Sequence, residues 1–324
     1  MRLTGRTTKR VLRSLPAGLI AAAALAVSAR AVAHRARRAE RDHPPHGEFI
    51  EVDGVRLHYV TRGEGQPLVL LHGNGAMNND FELSGLVELA QQRYRVIVFD
   101  RPGYGYSERP RSTVWTPAAQ AALLHKALQR LGAQRPVVVG HSWGTHVALA
   151  LALDYPADVK SLVLLSGYYF PTFRLDVFLL APPAIPIVGD IMRHTISPWL
   201  GRLLWARILK KLFAPDRVPP RFDRFPVWMA LRPSQLRAAA TESALMIPGA
   251  MALRGRYGQL KIPTTIMAGK DDRLVNAQRQ SVRLHRAIAQ SELRLTPGAG
   301  HMIHFMVPVQ VMAAIDAAAA RAAG

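Results

Sequence analysis

The sequence contains no cysteine among its 324 residues. This absence excludes a disulfide scaffold, a thiolate zinc site, an iron–sulfur cluster and a cysteine nucleophile. It does not identify the compartment, because a chain of this length can bury a large core and be exported without disulfides. Covalent catalysis by this chain must therefore use a nucleophile other than a thiol.

Acidic residues and lysine are both scarce relative to arginine. The 42 basic residues, of which seven are lysine, outnumber 22 acidic residues and give a formal net charge of +20. Residues 1–42 carry ten basic residues against two acidic ones, so the excess is more dilute in the rest of the chain. Because there is no helix-turn-helix spacing, zinc-finger pattern or basic strand interleaved with aromatic residues, we expect no nucleic-acid partner.

The N-terminal segment has an uncharged stretch of 16 residues at 14–29 with arginines on both sides. As a helix it covers about 24 Å, against a hydrocarbon core of roughly 30 Å. Snorkelling by Arg13 and Arg30 would let it span, which favours an uncleaved membrane anchor. A cleaved export signal ending at Ala29 or Ala33 is the alternative, although the arginines that follow oppose translocation. A soluble tail is a third interpretation, and the balanced flanking charge leaves the orientation open.

From residue 46 onward, strand-like apolar runs alternate with segments of helical spacing. Residues 1–45 are therefore predicted to be the anchor or signal segment, and residues 46–324 the folded domain. Asp53 and Gly54 form a hairpin signal between strands at 49–52 and 55–61. Further strands are predicted at 67–71, 94–99, 136–139, 159–165, 264–267 and 292–295, and helices at 116–131, 141–154, 276–289 and 307–323. The alternation predicts an α/β fold with a mainly parallel sheet covered by helices on both faces.

Residues 168–258 interrupt this alternation. They hold eleven of the 23 prolines and several helical patterns, but no convincing strand. Because the stretch lies between two core strands, we expect an inserted helical cap that shapes a pocket. Residues 202–213 place Trp205 and Phe213 on an apolar helical face opposite Arg207, Lys210 and Lys211. That apolar face either packs over the pocket or lies in a membrane interface.

Residues 140–144 read GHSWG and stand between a predicted strand and a predicted helix. This is the G-x-S-x-G pattern in the strand–turn–helix context that its chemistry requires. The glycines permit a sharp turn that presents the Ser142 hydroxyl above the sheet edge, and the helix N-terminus directs N–H groups toward any anion formed there. We therefore predict that Ser142 is a nucleophile rather than part of an ordinary glycine-rich turn.

A serine hydroxyl needs a base, and the base needs a carboxylate to orient it. His301, in a glycine-rich loop after the last predicted strand, is the candidate base, and His304 is its competitor. Asp271 and Asp272 follow the preceding strand, and spacing alone does not choose between these two carboxylates. The chain order Ser, Asp, His is the one expected when such loops share one sheet edge.

The loop at 72–75 reads HGNG and reaches the same sheet edge, because it follows the predicted strand at 67–71. An acyl-transfer site requires N–H donors for the oxyanion that develops during attack. The backbone N–H groups of Asn74 and of Trp143, directly after Ser142, are the candidate pair.

Five motifs together resemble those of the α/β-hydrolase fold superfamily, over roughly residues 46–321. They are HGNG at 72–75, DRPGYGYS at 100–107, GHSWG at 140–144, GKDDRLV at 269–275 and GAGH at 298–301. The resemblance implies that Asp272, three residues after Gly269, is the acid rather than Asp271, and that Asp100 orders its loop. Ser142 differs from the aspartate that haloalkane dehalogenases and epoxide hydrolases use at this position, which argues against their chemistry.

These residues predict a serine hydrolase that cleaves carboxylic esters through an acyl-enzyme, with Ser142, Asp272 and His301 as its triad. Carbon–carbon bond, amide or lactone hydrolysis or perhydrolysis on the same residues is the alternative, and a non-catalytic binding protein is a lesser one. No cofactor is implied, and no metal, because no His, Asp and Glu cluster has ligand spacing. The expected partners are a small acyl substrate, including lipid-like ones, and a membrane contacted through the N-terminal segment.

Overall fold

A sheet of eight strands lies at the centre of the computed structural model, which describes residues 7–322. The strands are β1 (Glu48–Val52), β2 (Val55–Arg62), β3 (Gln66–Leu71), β4 (Tyr94–Phe99), β5 (Val137–His141), β6 (Ser161–Leu165), β7 (Thr264–Gly269) and β8 (Ser291–Thr296). Their order is β1-β2-β4-β3-β5-β6-β7-β8. The β1–β2 and β2–β4 pairs are antiparallel and the other five pairs are parallel, so the prediction of a mainly parallel sheet is confirmed.

The helices cover both faces of this sheet. Those of the described residues are α1 (Thr7–Asp42), α2 (Asn79–Ser84), α3 (Leu86–Ala90), α4 (Pro117–Arg130), α5 (Gly144–Asp154), α6 (Leu175–Leu180), α7 (Val188–Thr195), α8 (Ser197–Phe213), α9 (Val227–Ala230), α10 (Pro233–Arg254), α11 (Arg283–Ala287), α12 (Ile303–Met306) and α13 (Pro308–Arg321). Along β3, Leu68 and Leu70 pack toward α3 and α13, whereas Val69 and Leu71 pack toward α4 and α5. Burial on both faces explains why the central strands are continuous apolar runs.

Local sequence signals account for several element boundaries. Asp53 and Gly54 both have positive φ, as a two-residue hairpin turn between β1 and β2 requires. The Thr116 side chain accepts a hydrogen bond from the Ala119 N–H and caps the start of α4. Arg2 and Arg6 of the basic N-terminal segment, and Ala323 of the last predicted helix, lie outside the described residues.

The bounds of several predicted elements differ from the structure. The helix predicted at 141–154, for example, begins only at Gly144, because His141 belongs to β5. The strand predicted at 159–165 begins only at Ser161, where pairing with Val137 starts. The helix predicted at 276–289 is a π-helical turn at Gln278–Val282 followed by the short α11. Within that turn the buried Gln280 side chain accepts hydrogen bonds from the backbone N–H groups of Tyr169 and Phe170, a contact across the fold that local periodicity does not encode.

The cap consists of α6 to α10, which all lie within residues 168–258, and this fully described stretch contains no strand. Leu204, Trp205 and Leu209, on the apolar face of α8, line the cavity beneath the cap. Phe213, at the end of the same face, is buried. This face therefore packs over the pocket, and of the two interpretations of residues 202–213 the structure supports the packed one.

The N-terminal helix α1 continues without interruption to Asp42 and packs against the cap. Within it, Ala17–Asp42 is long and apolar enough to cross a membrane, by length and composition. Val32 and Ala39 are buried, and the Ser28 hydroxyl donates a hydrogen bond of 2.6 Å to the carbonyl oxygen of Thr195 in α7. The contacts of the folded domain thus extend along α1 at least as far as Ser28, upstream of the first strand.

Candidate active site

A sharp turn between β5 and α5 presents Ser142. Its φ is 51°, in the left-handed region, and its backbone N–H donates to the carbonyl oxygen of Leu165 at 2.9 Å. A Cβ on Gly144 would stand 2.2 Å from the carbonyl oxygen of Leu71, and one on Gly140 would stand 2.7 Å from that of Gly144. Both flanking positions must therefore be glycine for the strand, turn and helix to pack this closely.

His301 lies between Ser142 and Asp272. Its Nε2 is 3.0 Å from Ser142 Oγ, and its Nδ1 is 2.8 Å from Asp272 Oδ2. The His301 and Asp272 side chains are both buried. Asp272 Oδ1 also accepts hydrogen bonds from the backbone N–H groups of Leu274 and Val275, which hold the carboxylate in place. The structure thus brings these three predicted site residues into one hydrogen-bonded chain.

The two competing residues lie elsewhere. Asp271 accepts a hydrogen bond of 2.8 Å from the backbone N–H of Gly298 and is exposed. His304 is buried, with its Nε2 at 3.0 Å from Asp80 Oδ2. The geometry therefore separates both alternatives from Ser142, a distinction that spacing along the chain could not make.

The loop at residues 72–75, here called the oxyanion loop, lies directly against Ser142. A Cβ on Gly73 would stand 3.1 Å from Ser142 Cβ. Asn74 and Trp143 line the same cavity as Ser142, and Trp143 is the N-cap of α5, where backbone N–H groups have no partner within the helix. The Asn74 side chain donates to the carbonyl oxygen of Ala239 in α10 at 3.1 Å. The oxyanion loop is therefore bound to the cap as well as to the sheet.

A fully buried ion pair joins Arg101 to Glu242 of α10 at 2.5 Å and 2.9 Å. The same guanidinium donates to the carbonyl oxygens of His72 and Gly73 in the oxyanion loop, at 2.8 Å and 3.1 Å. Burial by itself lowers the pKa of Arg101, but Glu242 and Tyr104 outweigh it and raise that pKa. Burial, reinforced by Glu242, raises the pKa of Tyr104 well above its ordinary value.

No pattern in the sequence marks Glu242. Arg101 lies inside the DRPGYGYS motif, but its partner comes from a cap helix and no spacing links the two. Asp100 of the same motif accepts hydrogen bonds from the backbone N–H groups of Asn78 and Tyr106 and lies 2.6 Å from His58 Nδ1. This is the loop-ordering arrangement that the resemblance implies for Asp100.

Three histidines near the site are held in the neutral form. Burial lowers the pKa of His72 and of His141 well below the ordinary value, with Arg101 adding to the effect on His72 and the neighbouring His304 to that on His141. Burial also lowers the pKa of His146 to about 4. These imidazoles therefore stay uncharged at neutral pH.

Asp80, His141 and His304 place one potential metal-ligand atom each within 4.8 Å of one another. The sequence predicts no metal site, and spacing along the chain cannot reveal this cluster because its members come from α2, β5 and α12. The hydrogen bond between Asp80 and His304 and a second one from His141 Nε2 to the backbone carbonyl oxygen of His301, at 3.1 Å, give these side chains protein partners. The cluster therefore also serves as a buried polar contact beneath the site.

A cavity of about 410 Å³ leads from Ser142 and His301 into the cap. Its walls come from α6, α8 and α10 and from the oxyanion loop, and they are mainly aliphatic and aromatic. Such a cavity offers an apolar chain-binding space that ends at a hydroxyl and an imidazole.

Residues 66–306 match the family model described as the alpha/beta hydrolase fold. The chain belongs to this family. Haloalkane dehalogenase 2 of Mycobacterium bovis is 25% identical to this α/β hydrolase over 279 residues, which are 84% of this chain and 94% of that protein. 2-Hydroxymuconate semialdehyde hydrolase of Pseudomonas putida is 36% identical over 135 residues, which are 41% of this chain and 48% of that protein.

Among solved structures, a membrane phospholipase A described as a novel bacterial virulence factor superposes on this α/β hydrolase with a TM-score of 0.65. The match covers 96% of this chain and 99% of the phospholipase, at 22% sequence identity. At that identity the likeness shows the shared fold alone.

Proposed function

We propose that this α/β hydrolase is a serine hydrolase that cleaves carboxylic esters through Ser142, His301 and Asp272. The observation that carries the proposal is the hydrogen-bonded chain from Asp272 through His301 to Ser142, at 2.8 Å and 3.0 Å, at the end of an apolar cavity. A nucleophile, a base and an orienting carboxylate in this contact order are what acyl transfer to a hydroxyl requires.

In the proposed reaction, His301 Nε2 takes the proton of Ser142 while Oγ attacks the carbonyl carbon of the ester. Asp272 holds the opposite ring nitrogen and stabilises the imidazolium. The backbone N–H groups of Asn74 and Trp143 donate to the oxyanion. Collapse of the tetrahedral intermediate breaks the ester C–O bond, and the leaving alcohol takes the proton from His301. A water molecule, deprotonated by the same imidazole, then releases the acid and restores the serine.

A second candidate is hydrolysis of a carbon–carbon bond on the same residues. The observation that favours it is the 36% identity to 2-hydroxymuconate semialdehyde hydrolase, although the match covers less than half of that protein. We do not propose dehalogenation, although haloalkane dehalogenase 2 is a relative, because Ser142 stands where such enzymes are expected to carry aspartate. An ester is preferred because the aliphatic cavity suits an acyl chain.

We also propose that α1 anchors the protein in a membrane and is not cleaved. Cleavage after Ala33 would remove Ser28, which contacts the cap, and the buried Val32. The test is carbonate extraction of membranes followed by the intact mass of the retained protein. A soluble mature chain that begins at residue 30 or 34 would support the export alternative instead.

The activity is tested with a fluorophosphonate probe and a substrate panel. Ser142→Ala should abolish both labelling and turnover. Esters over a series of acyl lengths should be cleaved faster than matched amides and lactones, and faster than 2-hydroxymuconate semialdehyde, the compound in the name of one relative. Asp271→Asn, outside the hydrogen-bonded chain, is the matched control. Absence of labelling in the wild-type chain would indicate a binding protein, and preferential cleavage of 2-hydroxymuconate semialdehyde would select the carbon–carbon alternative.

A further inference from the structure

Exposed apolar side chains are concentrated on one part of the cap. Of the 23 large hydrophobic side chains that are exposed in the described part of the chain, 13 lie between residues 173 and 203 and four more lie on α1. Phe173 and Leu203 are 82% and 77% exposed. We refer to the exposed apolar side chains of residues 173–203 as the cap apolar surface. A water-soluble surface rarely gathers so many apolar groups unless they contact another apolar phase.

The cap apolar surface adjoins the apolar part of α1. The Trp199 indole N–H donates to the Ser28 hydroxyl at 3.0 Å, and that hydroxyl donates to the Thr195 carbonyl oxygen. On the N-terminal side of this junction, Leu19 and Val27 are exposed. The uncharged stretch of α1 therefore leaves the protein beside the cap apolar surface, and both can enter the same apolar phase.

The length of α1 is consistent with a cap that enters the membrane. The uncharged stretch at residues 14–29 covers about 24 Å of a core of roughly 30 Å. Amphipathic elements bury their apolar face roughly 5–10 Å into the boundary between headgroups and acyl chains. Shallow insertion of the cap beside α1 would supply the missing apolar thickness. Trp199, at the junction, has the side-chain type that is enriched at this depth.

The charges around the cap apolar surface suit anionic headgroups. Residues 173–211 carry six lysine or arginine side chains against two aspartates, and of the six only Arg193 is buried, where it pairs with Asp190. Arg207, Lys210 and Lys211 of α8 are exposed. An apolar surface beside exposed basic groups matches a bilayer that contains anionic lipid. The anionic headgroups attract the basic side chains at the rim of the surface, and the apolar side chains at its centre contact the acyl chains.

The cavity reaches the surface within this same region. Leu179, Leu180 and Leu200 are each at least half exposed, and each also lines the cavity that ends at Ser142. A lipid acyl chain in contact with the cap apolar surface would thus meet the mouth of the cavity without crossing water.

We propose that the cap apolar surface inserts into an anionic lipid bilayer beside α1, and that the cavity takes its acyl substrate from that bilayer. The proposed insertion is argued from the exposed side chains of the cap apolar surface alone, whereas the entry route rests on the proposed function. The continuity with the apolar part of α1 and the basic rim favour lipid over a second copy of the chain as the occupant.

The cysteine-free sequence allows a direct test. In the full-length protein, Phe178→Cys, Leu203→Cys and Val309→Cys are each labelled with an environment-sensitive fluorophore and reconstituted into phosphatidylcholine vesicles containing phosphatidylglycerol. Val309, 68% exposed on α13 away from the cap, is the matched control. In the vesicles, the emission of labels at 178 and 203 should shift to the blue, and nitroxide on the lipid acyl chains should quench most of its intensity. The emission of the label at 309 should not change in either respect.

Two results would overturn the proposal. Labels at 178 and 203 that behave as the one at 309 does would place the surface in water. A blue shift without lipid quenching, accompanied by cross-linking between two copies at these positions, would identify a second copy as the occupant. The same measurement in a Ser142→Ala background should give unchanged quenching, so failed insertion and failed catalysis are told apart.

A functional test separates the entry route from catalysis. Leu203→Glu removes an exposed side chain that does not line the cavity, so hydrolysis of a short soluble ester should keep its rate, whereas hydrolysis of an ester embedded in vesicles should fall by roughly tenfold. Val309→Glu is the control and should change neither rate. Equal rates on the embedded ester for both variants would contradict uptake from the bilayer.

Discussion

Replacing Glu242 with glutamine tests whether the buried ion pair between Arg101 and Glu242, which links the cap to the oxyanion loop through Arg101, supports both stability and turnover. Glu242 and Arg101 are fully buried, and Arg101 also holds the carbonyl oxygens of His72 and Gly73. Removing one charge of a buried pair costs about 3–5 kcal/mol of the free energy of unfolding. Because the amide keeps the shape and one acceptor, and Arg101 keeps its carbonyl partners, we expect the lower end, about 3 kcal/mol.

Thermal unfolding and ester kinetics measure the two effects separately. For a chain of this size each kcal/mol lowers Tm by roughly 2 °C, so Glu242→Gln should lower Tm by about 6 °C. Its kcat should fall by about tenfold or more with little change in KM for a soluble ester, because a displaced oxyanion loop weakens transition-state binding. Glu64→Gln, at an exposed loop position, is the matched control and should change neither quantity.

The double variant Arg101→Met with Glu242→Met separates positioning from stability. Apolar replacement of a buried ion pair commonly restores or raises stability. The double variant should therefore recover much of its Tm and yet have a low kcat, because the carbonyl oxygens of His72 and Gly73 lose the donor that Arg101 supplied. A Glu242→Gln protein with wild-type Tm and kcat would refute the reasoning, as would a double variant that regains full turnover.

The remaining predictions concern the acid, the oxyanion loop and the buried histidines. Asp272→Asn should lower kcat on an activated ester by about 10⁴-fold, whereas Asp271→Asn, which loses only a loop contact, should stay near wild type; equal effects would contradict the assignment of the acid. Gly73→Ala adds a Cβ at 3.1 Å from Ser142 Cβ and should lower kcat by at least about tenfold, since that loop must move; unchanged kinetics would show that it need not. Burial lowers the pKa of His146 to about 4 from 6.5, so the unfolded chain takes up the proton first as pH falls. Stability present above pH 6.5 should be lost toward pH 4 by up to about 3 kcal/mol. Urea unfolding across this range should show that the free energy of unfolding depends less steeply on pH in His146→Gln than in the wild type. Identical slopes would count against the lowered pKa of His146.

The parts of the fold that local sequence encodes were predicted best. The strand β4 has the predicted bounds, because five of its six residues are apolar and buried, as expected for a strand covered on both faces. The turn at Asp53 and Gly54 was predicted equally well, since few pairs of adjacent residues both adopt positive φ. The strand–turn–helix at Ser142 was predicted for the same reason, although its catalytic role stays a prediction.

Contacts between distant segments could not be predicted where no motif marks both partners. Arg101 and Glu242 lie 141 residues apart, and neither helical periodicity nor motif spacing pairs them. The contact between Ser28 and Thr195, 167 residues apart, was equally hidden, although it joins α1 to the cap. For α8, the sequence showed an apolar and a basic face but not which of them meets the cavity, because amphipathicity gives a direction only relative to a partner.

The left-handed backbone of Ser142 means that the residue best for stability and the residue needed for the proposed chemistry differ at this one position. A non-glycine residue at φ 51° costs on the order of 1 kcal/mol, which glycine would relieve at the same turn. Glycine would also remove the hydroxyl that the proposed chemistry needs. A library of this α/β hydrolase selected for heat resistance alone should therefore become enriched in glycine at position 142. The most heat-stable variants recovered would then be catalytically inactive.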